Sequence, residues 1–164
     1  MADDNLKALV AQGLTAMRAG TEVAKGATQE IQDDARDPGL KQALQEGTRT
    51  SQEWAQRIER ALQEAGGPDG PGDNPVLEAH YEVSKRIRGQ APDDVSRDLG
   101  IIAAGQLALH YWIAAFGTMR NYCEKLGMGE AAQGFRQSLD EAKQADQKHN
   151  ELAEKLLQGE AAVA

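Results

Sequence analysis

The sequence has a single cysteine, Cys123, among 164 residues, which excludes an internal disulfide and any multi-cysteine zinc or iron–sulfur site. Aromatic residues are scarce at 4%, while hydrophobic residues reach 40%. The core must therefore be built mainly from Ala, Leu and Ile, a palette that favours helix over sheet. Positive charge is in deficit: 18 Lys and Arg stand against 26 Asp and Glu, giving a net charge of −8 that repels a phosphate backbone. No Gly-rich phosphate loop, Gly-x-Ser-x-Gly elbow or His-Glu-x-x-His motif occurs. The opening Met1-Ala2-Asp3-Asp4 is acidic where a secretory signal is basic. The expectation is a cytoplasmic protein with no nucleic acid as partner.

Proline is absent from every periodic segment. Pro38, Pro68, Pro71, Pro75 and Pro92 fall between the segments and divide the chain into four long helices and a short one. The first, about 3–35, repeats Leu6, Val10, Gly13, Met17, Gly20, Ala24, Ala27 and Ile31 in steps of four and three. Asp37-Pro38 then reads as an N-cap with proline at the first helical position, opening a helix at 38–65 that carries Leu40, Leu44, Gly47, Ser51, Trp54 and Ile58. The run from Gly66 to Pro75 holds too many glycines and prolines for regular structure. Asn74-Pro75 repeats the cap logic for a short helix at 76–88, and two further long helices follow at 94–126 and 130–158.

Formal charge is missing altogether from Leu99 to Met119. That stretch is long enough to span a bilayer, yet it contains Gln106, His110 and several small residues, and no Lys/Arg cluster marks a flank. It reads as a central helix buried by its neighbours, with no membrane involved. Two apolar stripes run along it. One is Val95, Leu99, Ile102, Gln106, Leu109, Ile113 and Phe116; the other is Ile101, Ala104, Ala108, Trp112, Ala115 and Met119. Two stripes imply two covered faces, one inside the molecule and one against the short helix and a second copy of the chain. The fold expected is all-α: a four-helix bundle, residues 1–164, whose crossover of about 28 residues carries the extra helix and spans the bundle as in ferritin-like folds.

The segment His110-Tyr111-Trp112-Ile113-Ala114-Ala115-Phe116-Gly117 resembles the Glu-His-Tyr-Glu-Ile-Ala-x-Tyr-Gly signature of the YciE/YciF ferritin-like family. Pro38-Gly39-Leu40, Asp98 through Ala104, and Leu139-Asp140-Glu141 with Asp146 resemble other parts of its pattern in the right order, covering about 10–158. The resemblance implies a bundle whose inward carboxylates and histidines hold two metal ions, in a stress-associated bacterial setting. This sequence departs from the ligand pattern. Leu109, Trp112 and Ala142 stand where the family has glutamates, and Gly47 and Thr50 where it has a histidine and a glutamate. Glu22, after a one-residue shift, and Asp146 remain.

Several buried carboxylates are tolerable only while cations neutralise them, so a metal-free interior needs hydrocarbon in their place. Leu109, Trp112 and Ala142 supply it, with Gly47 making room for a tryptophan. The candidate binding site is the bundle interior at the former metal position, with Glu22, Trp54, His110, Trp112, Asp146 and His149. The first expectation is a non-catalytic structural or interaction protein with a degenerate dimetal site and no cofactor, forming a homodimer through the third long helix. An alternative keeps Glu22, His110, Asp146 and His149 as a rebuilt ligand set for iron or manganese. A third reading places a small apolar ligand between Trp54 and Trp112, where it requires a sizeable cavity. Cys123 lies on an apolar stripe and reads as a buried, inert thiol, and Lys85-Arg86-Ile87-Arg88 as a solvated helix end.

Overall fold

In a computed structural model that describes residues 2–161, the chain forms α1 (Ala2–Asp34), α2 (Pro38–Glu64), α3 (Pro75–Gln90), α4 (Asp94–Lys125) and α5 (Gly129–Ala161). Met1 and residues 162–164 of the expected 1–164 domain lie outside the described residues. Local chemistry sets the helix starts. Asp37 accepts the Leu40 N–H at 2.8 Å ahead of Pro38, Asn74 accepts the Leu77 N–H at 3.1 Å ahead of Pro75, and Asp93 accepts the Ser96 N–H at 2.7 Å. Two glycines set the ends of α2 and α4. Gly66 (φ +69°) and Gly127 (φ +72°) take left-handed backbone, and the following N–H in each case returns five residues, Gly67 to Leu62 and Met128 to Cys123.

α1 packs on α2, α2 on α5, α5 on α4 and α4 on α1, closing a ring of four helices with α3 lying outside against α1 and α4. The buried Asp98 fixes the topology. Its two carboxylate oxygens accept the backbone N–H groups of Arg36 (2.8 Å) and Asp37 (2.6 Å), so α4 begins beside the α1–α2 turn, at the opposite end of the bundle from the last turn of α2. The connection therefore crosses the full bundle. The all-α bundle with an extra helix in its long connection is as the sequence predicts.

α3 is tied down at both ends. Asn74 donates to the Ala16 carbonyl and the Tyr111 hydroxyl, and Arg88 pairs with Glu30 and Asp34 of α1. Arg88 corrects the sequence reading, because it is 3% exposed and docks α3 where a solvated helix end is expected. Of the two stripes on α4, the second supplies Ile101, Ala104, Trp112 and Met119 to the interior, while the first supplies Ile102 and Phe116. The rest of α4 is less covered than expected. It is long and apolar enough to cross a membrane, but only 28% of its most apolar stretch is buried, and Leu107 stands 63% exposed.

Candidate functional site

The core has two parts. The larger gathers Leu14, Trp54, Ile58, Trp112, Phe116, Phe135 and their neighbours; the smaller, nearer the α1–α2 turn, holds Ala35, Leu40, Ile101 and Ile102. The larger cluster is organised by aromatic rings in a continuous chain. Trp54 lies 5.9 Å from Trp112 and 5.1 Å from Phe116, Trp112 stacks on Phe116 at 5.4 Å, and Phe116 on Phe135 at 6.0 Å. Each large ring buried contributes about 1.5–3 kcal/mol.

Trp54 is held by its polar edge. Its indole N–H donates to Glu141 Oε2 at 2.8 Å, and Arg57 donates to both oxygens of the same carboxylate at 2.6 and 3.1 Å. Burial raises the affinity of Glu141 for a proton, but the hydrogen bonds from Arg57, Trp54 and Gln137 outweigh it and hold the carboxyl below the ordinary range. Sequence reasoning missed this support. Arg57 and Glu141 sit on different helices, far apart in sequence, so no local spacing marks the pair.

Between the two core clusters lies a cavity of about 390 Å³, walled by all four bundle helices and including Trp54, Trp112, Gly47, Gly105, Leu109 and His149. A second cavity of about 160 Å³ on the α3 side shares Thr28, Ile31, Leu44, Gly105, Ala108 and Trp112 with it. Gly47 corrects an expectation, since a Cβ there would meet nothing within 4 Å: it faces open space and makes no room for a tryptophan.

Three of the six candidate residues converge on this interior. Trp54 and Trp112 form its aromatic end, and His149, 8% exposed, lies on the α5 wall with its Nδ1 2.8 Å from the Ala145 carbonyl. Burial pushes the His149 pKa down, so the ring is neutral at pH 7, donates from Nδ1 and carries its lone pair on Nε2.

The other three lie elsewhere. Glu22 is exposed on the outer side of α1, in a groove with Pro75, Glu78 and Glu82. Its neighbour Thr21 is the buried position, and one residue turns a helical side chain by about 100°. His110, with its side chain 66% exposed, pairs with Asp146 at 3.3 Å across the α4–α5 seam. Asp146 bonds neither His149 nor the cavity; its Oδ1 is buried without a partner. Among the described residues no group of three or more His, Cys, Asp or Glu is placed to hold a metal ion. The residues present therefore do not fit a dinuclear centre.

Residues 5–162 match the family model described as Domain of unknown function (DUF892). The chain belongs to this family. The YciE/YciF resemblance stands on the same ground, because protein YciF of Escherichia coli strain K12 is 42% identical over 78 residues, 48% of this chain and 47% of that protein. The chain thus spans about half the length of the curated relative it matches. Two solved structures share the fold. The crystal structure of the E. coli stress protein YciF aligns with a TM-score of 0.88 at 22% identity, covering 93% of this chain and 97% of that one. YcfI of Rhodopseudomonas palustris aligns with a TM-score of 0.83 at 23% identity, covering 88% and 92%.

Proposed function

We propose that this DUF892 protein is a non-catalytic, stress-associated bundle with a structural or interaction role, whose ferritin-like dimetal site has degenerated. One observation carries the reading: hydrocarbon and aromatic side chains, Leu109, Trp112 and Ala142, occupy the interior where the family resemblance places acidic ligands. An interior of this kind is stable without cations, whereas clustered carboxylates are not. The relatives point the same way, since YciF is described as a stress protein and YcfI provisionally as a structural one. The proposed setting is cytoplasmic, without membrane or nucleic acid as partner and without a cofactor.

The test is metal analysis by mass spectrometry on protein reconstituted anaerobically with Fe(II), or with Mn(II) or Zn(II), and then desalted. The expected result is metal far below stoichiometry. About one or two ions per chain, lost on replacing Asp146 and His149, would overturn the reading in favour of a rebuilt ligand set.

The proposed assembly is a homodimer through the outer face of α4. In support, that face carries no formal charge, exposes Ala103, Leu107 and Ala114, and continues near Gly100 onto Ile87 of α3, itself exposed. Ile101, 2% exposed, and Ala108, on the cavity wall, face inward, so a charge at either strikes the core and not a subunit contact. Sedimentation at low micromolar concentration should give about twice 17.7 kDa. Leu107→Lys should return the monomer with its helix content intact; a native chain that sediments as a monomer removes the dimer.

A further inference from the structure

The cavity between the two core clusters is more than a packing fault. An engineered apolar cavity of about 150 Å³ suffices to bind benzene. At about 390 Å³, with one side open to solvent, this pocket has room for a bicyclic molecule. Its lining includes Ala43, Gly47, Gly105, Ala108 and Ala145, small residues contributed by three helices that leave the space between Trp54, Trp112 and His149 unfilled. On its α2–α5 side two lining residues pair, the Lys148 ammonium meeting Glu46 at 2.5 Å with both side chains about 40% exposed.

The polar groups around the space are largely engaged. Thr28 donates to the Ala24 carbonyl (2.6 Å), Thr48 to Leu44 (2.9 Å) and Ser51 to Thr48 (2.9 Å), while the Trp54 N–H is taken by Glu141. Thr50 and Gln144 are partly or fully exposed, whereas His149 is buried. It is more than nine-tenths buried, its Nδ1 is used by Ala145, and no hydrogen bond reaches its Nε2 among the described residues. That edge lies close against Gly105, where a Cβ would stand 3.0 Å from Nε2, so the glycine lets the imidazole reach the pocket wall. Nε2 keeps some accessible surface, unlike the sealed Oδ1 of Asp146, so a donor in the pocket can reach it and gain one net hydrogen bond.

We propose that this cavity is a binding site for a small, flat, largely apolar molecule bearing one hydrogen-bond donor, its ring against Trp54 and Trp112 and its donor on His149 Nε2. The site rests on the reading above only in requiring a metal-free interior. The two fail separately, because metal is counted on protein never exposed to the probe.

The probe is indole, titrated calorimetrically into the full chain, with benzofuran as the same shape lacking the N–H. Indole should bind once per chain with a dissociation constant below about 1 mM, and benzofuran about fivefold more weakly, as one net hydrogen bond implies. Gly47→Leu, which grows into open space, should weaken both by at least about tenfold, and His149→Leu should make the two probes equal. No saturable binding of indole, or binding unchanged in Gly47→Leu, would overturn the site. Equal affinity for indole and benzofuran on the unaltered chain would overturn the role of His149, and needs no variant to fold.

Discussion

Gly105 on α4 and His149 on α5 approach so closely that a Cβ on the glycine would stand 3.0 Å from Nε2 and 3.2 Å from Cδ2 of the imidazole. The glycine is what admits the ring. Gly105→Ala gains up to about 1 kcal/mol of helix propensity but must push a buried ring held at its other edge by Ala145, at an overpacking cost of about 1–3 kcal/mol. The expected net effect is a loss of about 1 kcal/mol, read as a lower urea midpoint with an unchanged slope. A gain in stability would show that His149 turns aside freely.

Gly47 on α2 predicts the opposite sign. It too lies within a helix, but a Cβ there meets nothing within 4 Å, so Gly47→Ala gains propensity with no crowding. The expected change is a stabilisation of about 0.5–1 kcal/mol by urea titration. The pair of variants separates two roles of a helical glycine, since propensity is common to both and only the contact differs.

Burial of His149 gives the stability a specific pH dependence. In the unfolded chain the group titrates near its ordinary value of 6.5, and in the folded chain burial lowers that value despite the Ala145 carbonyl and Asp146, which pull it up. Between the two values the unfolded state binds more protons, so stability falls as pH drops below about 6.5 and the loss ends once pH has passed the folded value. Glu141 and Glu46, both held below the ordinary carboxylate value of 4.5, add a further loss only in more acid solution. Urea titrations between pH 7.5 and 5 should show the first loss in the native chain and a smaller one in His149→Leu. An equal slope in both would mean that His149 charges as readily folded as unfolded.

What was legible in the sequence was punctuation and period. Asp37-Pro38 and Asn74-Pro75 act on their own backbone, so their consequences are local and each sits at a helix start as read. Positions that depend on helix rotation or on distant partners were not legible. Glu22 rested on a one-residue shift, and the buried residue proved to be Thr21. Arg88 looked like part of a basic surface because its partners, Glu30 and Asp34, lie more than 50 residues away in sequence. The pocket is lined in part by small residues on separate helices, each unremarkable along its own chain segment.

Cys123 should be inert in the native protein. It is fully buried, and burial, with a smaller contribution from Glu64, pushes its thiol up to about 11, so almost no thiolate exists at pH 8. Iodoacetamide at pH 8 should leave intact protein unlabelled and modify one site per chain in denaturing urea. Rapid native labelling would require α4 or the α4–α5 turn to open, because Met128 donates its N–H to the Cys123 carbonyl at 2.9 Å and Phe116 and Phe135 belong to the same cluster.

Asp98 joins the two halves of the topology, and its removal should cost more than any surface charge. One carboxylate, 2% exposed, satisfies the N–H groups of Arg36 and Asp37 in the α1–α2 turn, and Asp37 in turn caps α2 through Leu40. In Asp98→Ala both donors lose their acceptor at the point where the crossover delivers α4 to the turn, at about 1–3 kcal/mol for each donor left unsatisfied. Asp98→Asn keeps one acceptor and turns an NH2 group toward the other donor, so it should recover at most about half of the loss. Thermal and urea denaturation of the two variants should therefore rank native, Asn, Ala. If Asn proves as stable as the native chain, one oxygen suffices and the second hydrogen bond contributes nothing.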